Sequence, residues 1–356
     1  MKKLKFAYPF TGFSSLNFTN CFTSLYMYLE KYDELYTSDC KEFCCYCGMC
    51  NIPWGGVQTR LFFLFDTVSG RNATQNKWGN KHTDIFNELY DTDETIDFIF
   101  GLTGYGYEKH TENTINIANK IRESIDNDCP ALVRLKDSIN NNTFRIIVGY
   151  DGDNFIQAKP DGEQKIPSKE PTLENIAAFY QVTGKTENTE RRYTLRNGLE
   201  RIKRVFEYNR DTKLWDEYIS EFKYSHEHTE NAEDIQRRFN TARDAMVWNC
   251  HNFGMAMGVI ANYERFPNQF ENRIWDEWKN PALLPAFNTI GTMCDLSHTR
   301  QWQIHALAKV CVKSPAERHD GHTEWGLFEC AVDALKFIKE YDDAIYHSVC
   351  DMIKLL

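Results

Sequence analysis

A cysteine at the opening of an amphipathic helix can serve as a nucleophile, and Cys21 has that setting. It lies in NFTNCFTSLYMYLEKY, where Phe22, Leu25, Tyr26 and Leu29 recur at i, i+3, i+4 and i+7 and draw one apolar stripe. Thr19 and Asn20 are N-cap types, so the pattern predicts a helix with Cys21 in its first turn. There the positive end of the helix dipole and the backbone N–H groups lacking intrahelical acceptors favour thiolate over thiol. A thiolate attacks acyl carbons, whereas a thiol packs as a small apolar group. Taken alone, Cys21 is open to either use.

A nucleophile of this kind needs a base within hydrogen-bond reach, and imidazole fits neutral pH best. The chain has ten histidines, none at a spacing that marks it as the partner of Cys21. His251 follows Cys250 on a predicted helix, where adjacent side chains point apart. His110, in the predicted loop GYGYEKHTEN of the first half, is the least arbitrary candidate for a base.

A second cluster is CKEFCCYCGMC, which holds five of the twelve cysteines; Cys44, Cys47 and Cys50 follow C-x2-C-x2-C. That spacing occurs in zinc and iron–sulfur ligation, giving a metal or redox role as one reading. No Cys-Pro or histidine follows at ligand spacing, and the next cysteine is Cys129. The expectation is therefore reduced thiols with no metal and no cofactor.

These groups need elements to hold them. The 356 residues suffice for two ordinary domains, and 42% hydrophobic content with 14% aromatics supplies a substantial core. A net charge of −10 without any long Lys/Arg run argues against nucleic acid and anionic membrane as partners. No apolar run approaches the roughly 18 residues of a membrane span. The start, MKKLKFAYPFTGFSS, lacks the uninterrupted apolar core of a signal peptide, so a cytoplasmic location is expected, with disulfides disfavoured.

Along the first half, TRLFFLFDT reads as strand or buried segment, residues 84–90 as a short helix, and TIDFIFG as strand. TENTINIANKIRESID carries Ile117, Ile121 and Ile125 at i+4 spacing and reads as helix, stopped by Cys129-Pro130. PALVRLK, FRIIVGY and NFIQAKP read as strands, the last two joined through an Asp-Gly-Asp turn. The stretch 166–190 is polar apart from IAAFYQV and reads as a linker or crossing segment. Beyond it every pattern is helical, including 232–263 and a final apolar helix. The expectation is an α+β domain over 1–165 and an all-α domain over 191–356.

A helix-start cysteine, then well over a hundred residues on a strand ending in Gly-Tyr (TFRIIVGY), then a hairpin to NFIQAKP, resembles the papain-like cysteine enzymes. Within them the likeness is closest to the family of butirosin biosynthesis protein H, over about residues 10–160. The resemblance implies a papain-like fold with Cys21 as nucleophile. It also implies transfer of an acyl group from a carrier-protein thioester to an amine, or hydrolysis of an amide, in peptide or secondary-metabolite chemistry. The family's histidine stands six residues before the glycine of Gly-Tyr, which is Thr143 here, and its Asn/Asp before Pro160 is Lys159. A threonine does not take up a proton at neutral pH, and a lysine cannot accept the imidazole N–H. The nucleophile position is kept while base and orienter are replaced. Two expectations follow: a cysteine acyltransferase or amide hydrolase, or a relative that binds such a thioester or peptidyl ligand without turnover.

Overall fold

The computed structural model describes residues 1–6, 17–31, 92–111, 114–136, 143–158, 175–186, 194–211, 213, 215–216, 219–220, 223, 280–311 and 321–356. They fall into two compact units, a mixed α+β unit and a helical one that takes in Thr92–Ile96 and the described residues from Thr194 on.

In chain order the first unit has β1 (Lys2–Lys3), α1 (Asn17–Leu29), the part of α2 (Thr92–Thr103) from Asp97 on, β2 (Tyr105–His110), α3 (Thr114–Asp126), β3 (Ala131–Leu135), β4 (Thr143–Asp151), β5 (Asn154–Gln157) and β6 (Ile176–Lys185). The strands make one antiparallel sheet in the order β1-β4-β3-β6-β2, with β5 also on β4.

Alternation along a strand sends successive side chains to opposite faces, so register rows identify the faces. Ile146, Leu132 and Tyr180 pair across β4, β3 and β6 and share one face with Phe144. Arg145, Val133, Phe179 and His110 form the adjacent row on the other face. α1 packs on the first face: the ring of Phe18 meets Phe144 edge-on at 4.8 Å. α3 packs on the second, with the Arg122 guanidinium over Tyr150 and Phe155 at 5.9 and 5.7 Å.

Three sequence expectations change here. TIDFIFG is helix, not strand, because Ile96, Ile99, Phe100 and Thr103 fall at i, i+3, i+4 and i+7 and are all buried. Asp93 and Glu94 in the first turn of α2 suit its dipole. Within the expected linker, Ile176–Lys185 is β6, which lies between β3 and β2 and buries Ile176, Ala178, Phe179 and Tyr180. GYGYEKH, expected as loop, supplies β2.

The helix over TENTINIANKIRESID and the strands of PALVRLK, FRIIVGY and NFIQAKP form as expected. α3 closes with Asp128 in the left-handed region at φ 59°. In the helical unit, α4 (Leu195–Asp211) is capped by Thr194, whose Oγ1 accepts from Asn197 N–H at 3.2 Å. α4 buries Leu195, Leu199, Ile202 and Phe206. α5 (Leu284–Cys311) and α6 (Gly321–Leu355) pack together as long helices. No helix among the described residues is long and apolar enough to cross a membrane. The segments TRLFFLFDT, 84–90 and 232–263 lie outside the described residues.

Candidate functional site

Cys21 lies one turn inside α1, because the helix starts at Asn17 and takes in Thr19 and Asn20, the expected caps. It is thus past the four residues whose N–H groups a helix leaves without intrahelical acceptors. The helix is not one-sided: Phe18 and every residue from Cys21 to Met27 are buried, Cys21 being 1% exposed. Phe22 meets Phe100 of α2 edge-on at 4.9 Å, and Phe100 lies 4.3 Å from Tyr107 of β2. Phe18 and Phe22, one turn apart on the stripe that includes Cys21, clasp the sheet and α2 with their rings. The sulfur forms no disulfide.

β4 begins at Thr143, paired in register with Leu135, and its next residue, Phe144, is the ring under Phe18. Lys159 lies outside the described residues, as do Cys44, Cys47 and Cys50. Among the described residues, no three His, Cys, Asp or Glu side chains group as metal ligands.

His110 does not join Cys21. It stands in the row of Phe179 and Val133, on the face covered by α3, and the sheet separates it from α1. Its ring packs on Phe179 with centroids 5.6 Å apart, its Nε2 is 2.8 Å from Gln181 Oε1, and Glu108 lies 3.8 Å away. Together with Asn116, Ile117, Asn119, Lys120 and Glu123 it lines a shallow surface groove of about 200 Å³. The expectation of His110 as a substitute base fails on topology.

The Gly-Tyr pair has a structural use in this chain. A Cβ on Gly149 collides with the carbonyl oxygen of Lys2 and comes within 2.9 Å of Lys3 Cα, so only glycine lets β1 lie against β4. Tyr150 donates its hydroxyl to Asp126 at 2.8 Å and so ties β4 to the end of α3. That bond, joined by Lys2, holds the Asp126 carboxyl below its ordinary value.

One polar cluster escaped the sequence reading. Tyr105 donates to Glu30 at 2.7 Å, and Lys185 pairs with the same carboxylate at 3.0 Å. Burial, then the Glu30 carboxylate, push the Tyr105 hydroxyl far above its usual range. Tyr105 and Lys185 stand 75 and 155 positions from Glu30, and no local spacing signals their meeting. They fasten the end of α1 to β2 and β6.

Comparison with protein-family models, with curated proteins and with solved structures finds no match.

Proposed function

We propose that the α+β unit is a binding relative of the papain-like cysteine acyltransferases and amide hydrolases, in which Cys21 packs α1 instead of attacking an acyl group. Its ligand class is an acyl or peptidyl group, presented as a thioester or an amide. The observation that carries this reading is the burial of Cys21, 1% exposed on a helix covered on several sides. A thiol shut away from solvent is unreactive toward outside reagents, because the thiolate is the reactive form and burial disfavours it. The replacement of the family's base by Thr143 and of its orienter by Lys159 supports the same reading.

Iodoacetamide labelling with mapped sites tests it. Cys21 stays unmodified in the folded protein from pH 6 to 9 and reacts once denaturant is added. Labelling of Cys21 at pH 6, well below the free-cysteine pKa of about 8.5, overturns the reading and restores the acyltransferase. Ligand class is tested with acyl thioesters of N-acetylcysteamine: saturable calorimetric binding without acyl-enzyme in the mass spectrum is expected. Absence of binding removes the ligand assignment.

A further inference from the structure

Two pairs among the described residues put a glycine straight after an Asp or Asn side chain, and the fold treats them oppositely. Asp151-Gly152 closes the β4–β5 hairpin, and Asn197-Gly198 lies in the first turn of α4. Such a pair can close on itself, because the glycine nitrogen attacks Cγ of the residue before it and no Cβ stands in the way. The fold controls this reaction through the freedom of that nitrogen and of the backbone round it.

Asp151 and Asn154 are the last register pair of the hairpin, so Gly152 and Asp153 are its two turn residues and stand outside the ladder. Gly152 has φ 58°, as the first position of a primed turn requires. Among the described residues, nothing lies within 4 Å of where its Cβ would be. The Asp151 carboxyl is 64% exposed, and its pairing with the Met1 amino group at 3.4 Å is a surface contact that water and salt weaken.

In α4 the arrangement is the reverse. Gly198 N–H donates to the Thr194 carbonyl at 3.0 Å, and Asn197 N–H donates to the Thr194 hydroxyl at 3.2 Å. The backbone is thus pinned on both sides of the carboxamide. Turning the glycine nitrogen onto Asn197 Cγ would break a bond of the helical ladder.

We propose that Asp151 is a site of isoaspartate formation in the folded protein, and that α4 shields Asn197 from the same chemistry. Gly152 N bonds to Cγ of the neutral Asp151 acid, and the acid's hydroxyl leaves with the amide proton as water. The five-membered succinimide then takes up one water. Breaking the ring bond from nitrogen to the main-chain carbonyl leaves the chain running through Cγ, whereas breaking the bond to Cγ returns aspartate. One water leaves and one enters, so mass is unchanged and no other reactant is needed. At Asn197 the same attack would expel ammonia. The product adds a methylene to the main chain beside the Gly152 carbonyl, which accepts from Arg122 at 3.2 Å.

The full chain, kept folded for several weeks at neutral pH and physiological temperature, tests this. Isoaspartate is located by digestion and electron-transfer fragmentation, which separates the isomers by their backbone fragments. In the folded chain, isoaspartate at Asp151 exceeds that at Asn197 several-fold. In guanidinium chloride the order reverses, because a carboxamide cyclises faster than a carboxylate once nothing holds the backbone. Asp151→Glu keeps the charge but would have to close a six-membered ring, so the hairpin peptide loses the product. Absence of isoaspartate at Asp151 in the folded chain overturns the proposal, as does a product that survives Asp151→Glu. Asn197 leading in both conditions, or Asp151 leading in both, overturns the shielding by α4.

Discussion

α1 and α3 are both 13-residue helices, and they cover opposite faces of one sheet, yet they are buried to different depths. α3 is one-sided: Ile117, Ala118, Ile121, Ser124 and Ile125 are buried, while Asn116, Asn119, Glu123 and Asp126 face solvent. α1 is buried through seven consecutive residues, because α2 lies on it as well as the sheet. The comparison teaches where chemistry is possible. The thiol stands on the sealed helix and the imidazole of His110 on the side of the open one, with the strands between them. A dyad of Cys21 and His110 is excluded by the sheet, not by distance along the chain.

The largest effect comes from breaking the sealed side. Phe144→Ala removes the ring that receives Phe18 and is itself 1% exposed. A loss of about 3–5 kcal/mol is expected in urea unfolding, the usual cost of truncating a buried aromatic. A loss below 1 kcal/mol means that α1 does not depend on this face.

Next is Cys21→Ser, a change of one atom in the same interface. A hydroxyl placed where the apolar thiol packs costs about 1–3 kcal/mol if it finds no partner. Thermal unfolding of Cys21→Ser and Cys21→Ala together decides the matter. A packing cysteine makes serine the worse replacement, and equal Tm values argue against the packing role.

On the open side the expected effects are smaller and depend on pH. The hydroxyl of Tyr150 and then Lys2 keep the Asp126 carboxyl below its usual 3.8 in the folded protein. The unfolded chain therefore binds the proton more readily, so the contribution is present above pH 3.8 and is lost as pH falls through the lower folded value. Asp126→Asn lowers Tm at pH 6, and the gap to wild type closes below pH 3.8. A gap that is unchanged at low pH shows that the hydrogen bond to Tyr150, not ionisation, is what the variant removed.

The smallest effect sharpens the comparison itself. His110→Ala leaves the labelling of Cys21 unchanged at every pH, because the imidazole is held by Gln181 on the far face. A change in labelling rate means that the two faces communicate through the sheet.

The candidate site was legible only in part. Cys21, its helix, and the strand TFRIIVGYD are visible in the chain, since a 3.6-residue period and a β-rich run before an Asp-Gly-Asp turn are local signals. α1 begins at Asn17 and takes in Thr19 and Asn20, cap types whose local signal points to a later start. The polar knot of Glu30, Tyr105 and Lys185 joins positions with no common period and left no trace in the sequence.

What the sequence determined by itself is the mixed α+β character of the first half, the helix α3, the β4–β5 hairpin and the helical character of α4 to α6. Each rests on side-chain periodicity within a dozen residues or so, which the backbone reads without help from distant parts. Only the tertiary structure decided that IAAFYQVTGK is a strand between β3 and β2, and that TIDFIFG turns its isoleucines and phenylalanines on a helical stripe. It alone also decided which face each helix covers, and so the separation of Cys21 from His110. The physical reason is that a face is set by strand register, and register is fixed by pairings between residues far apart in the chain, where a shift of one position would turn every side chain to the other side.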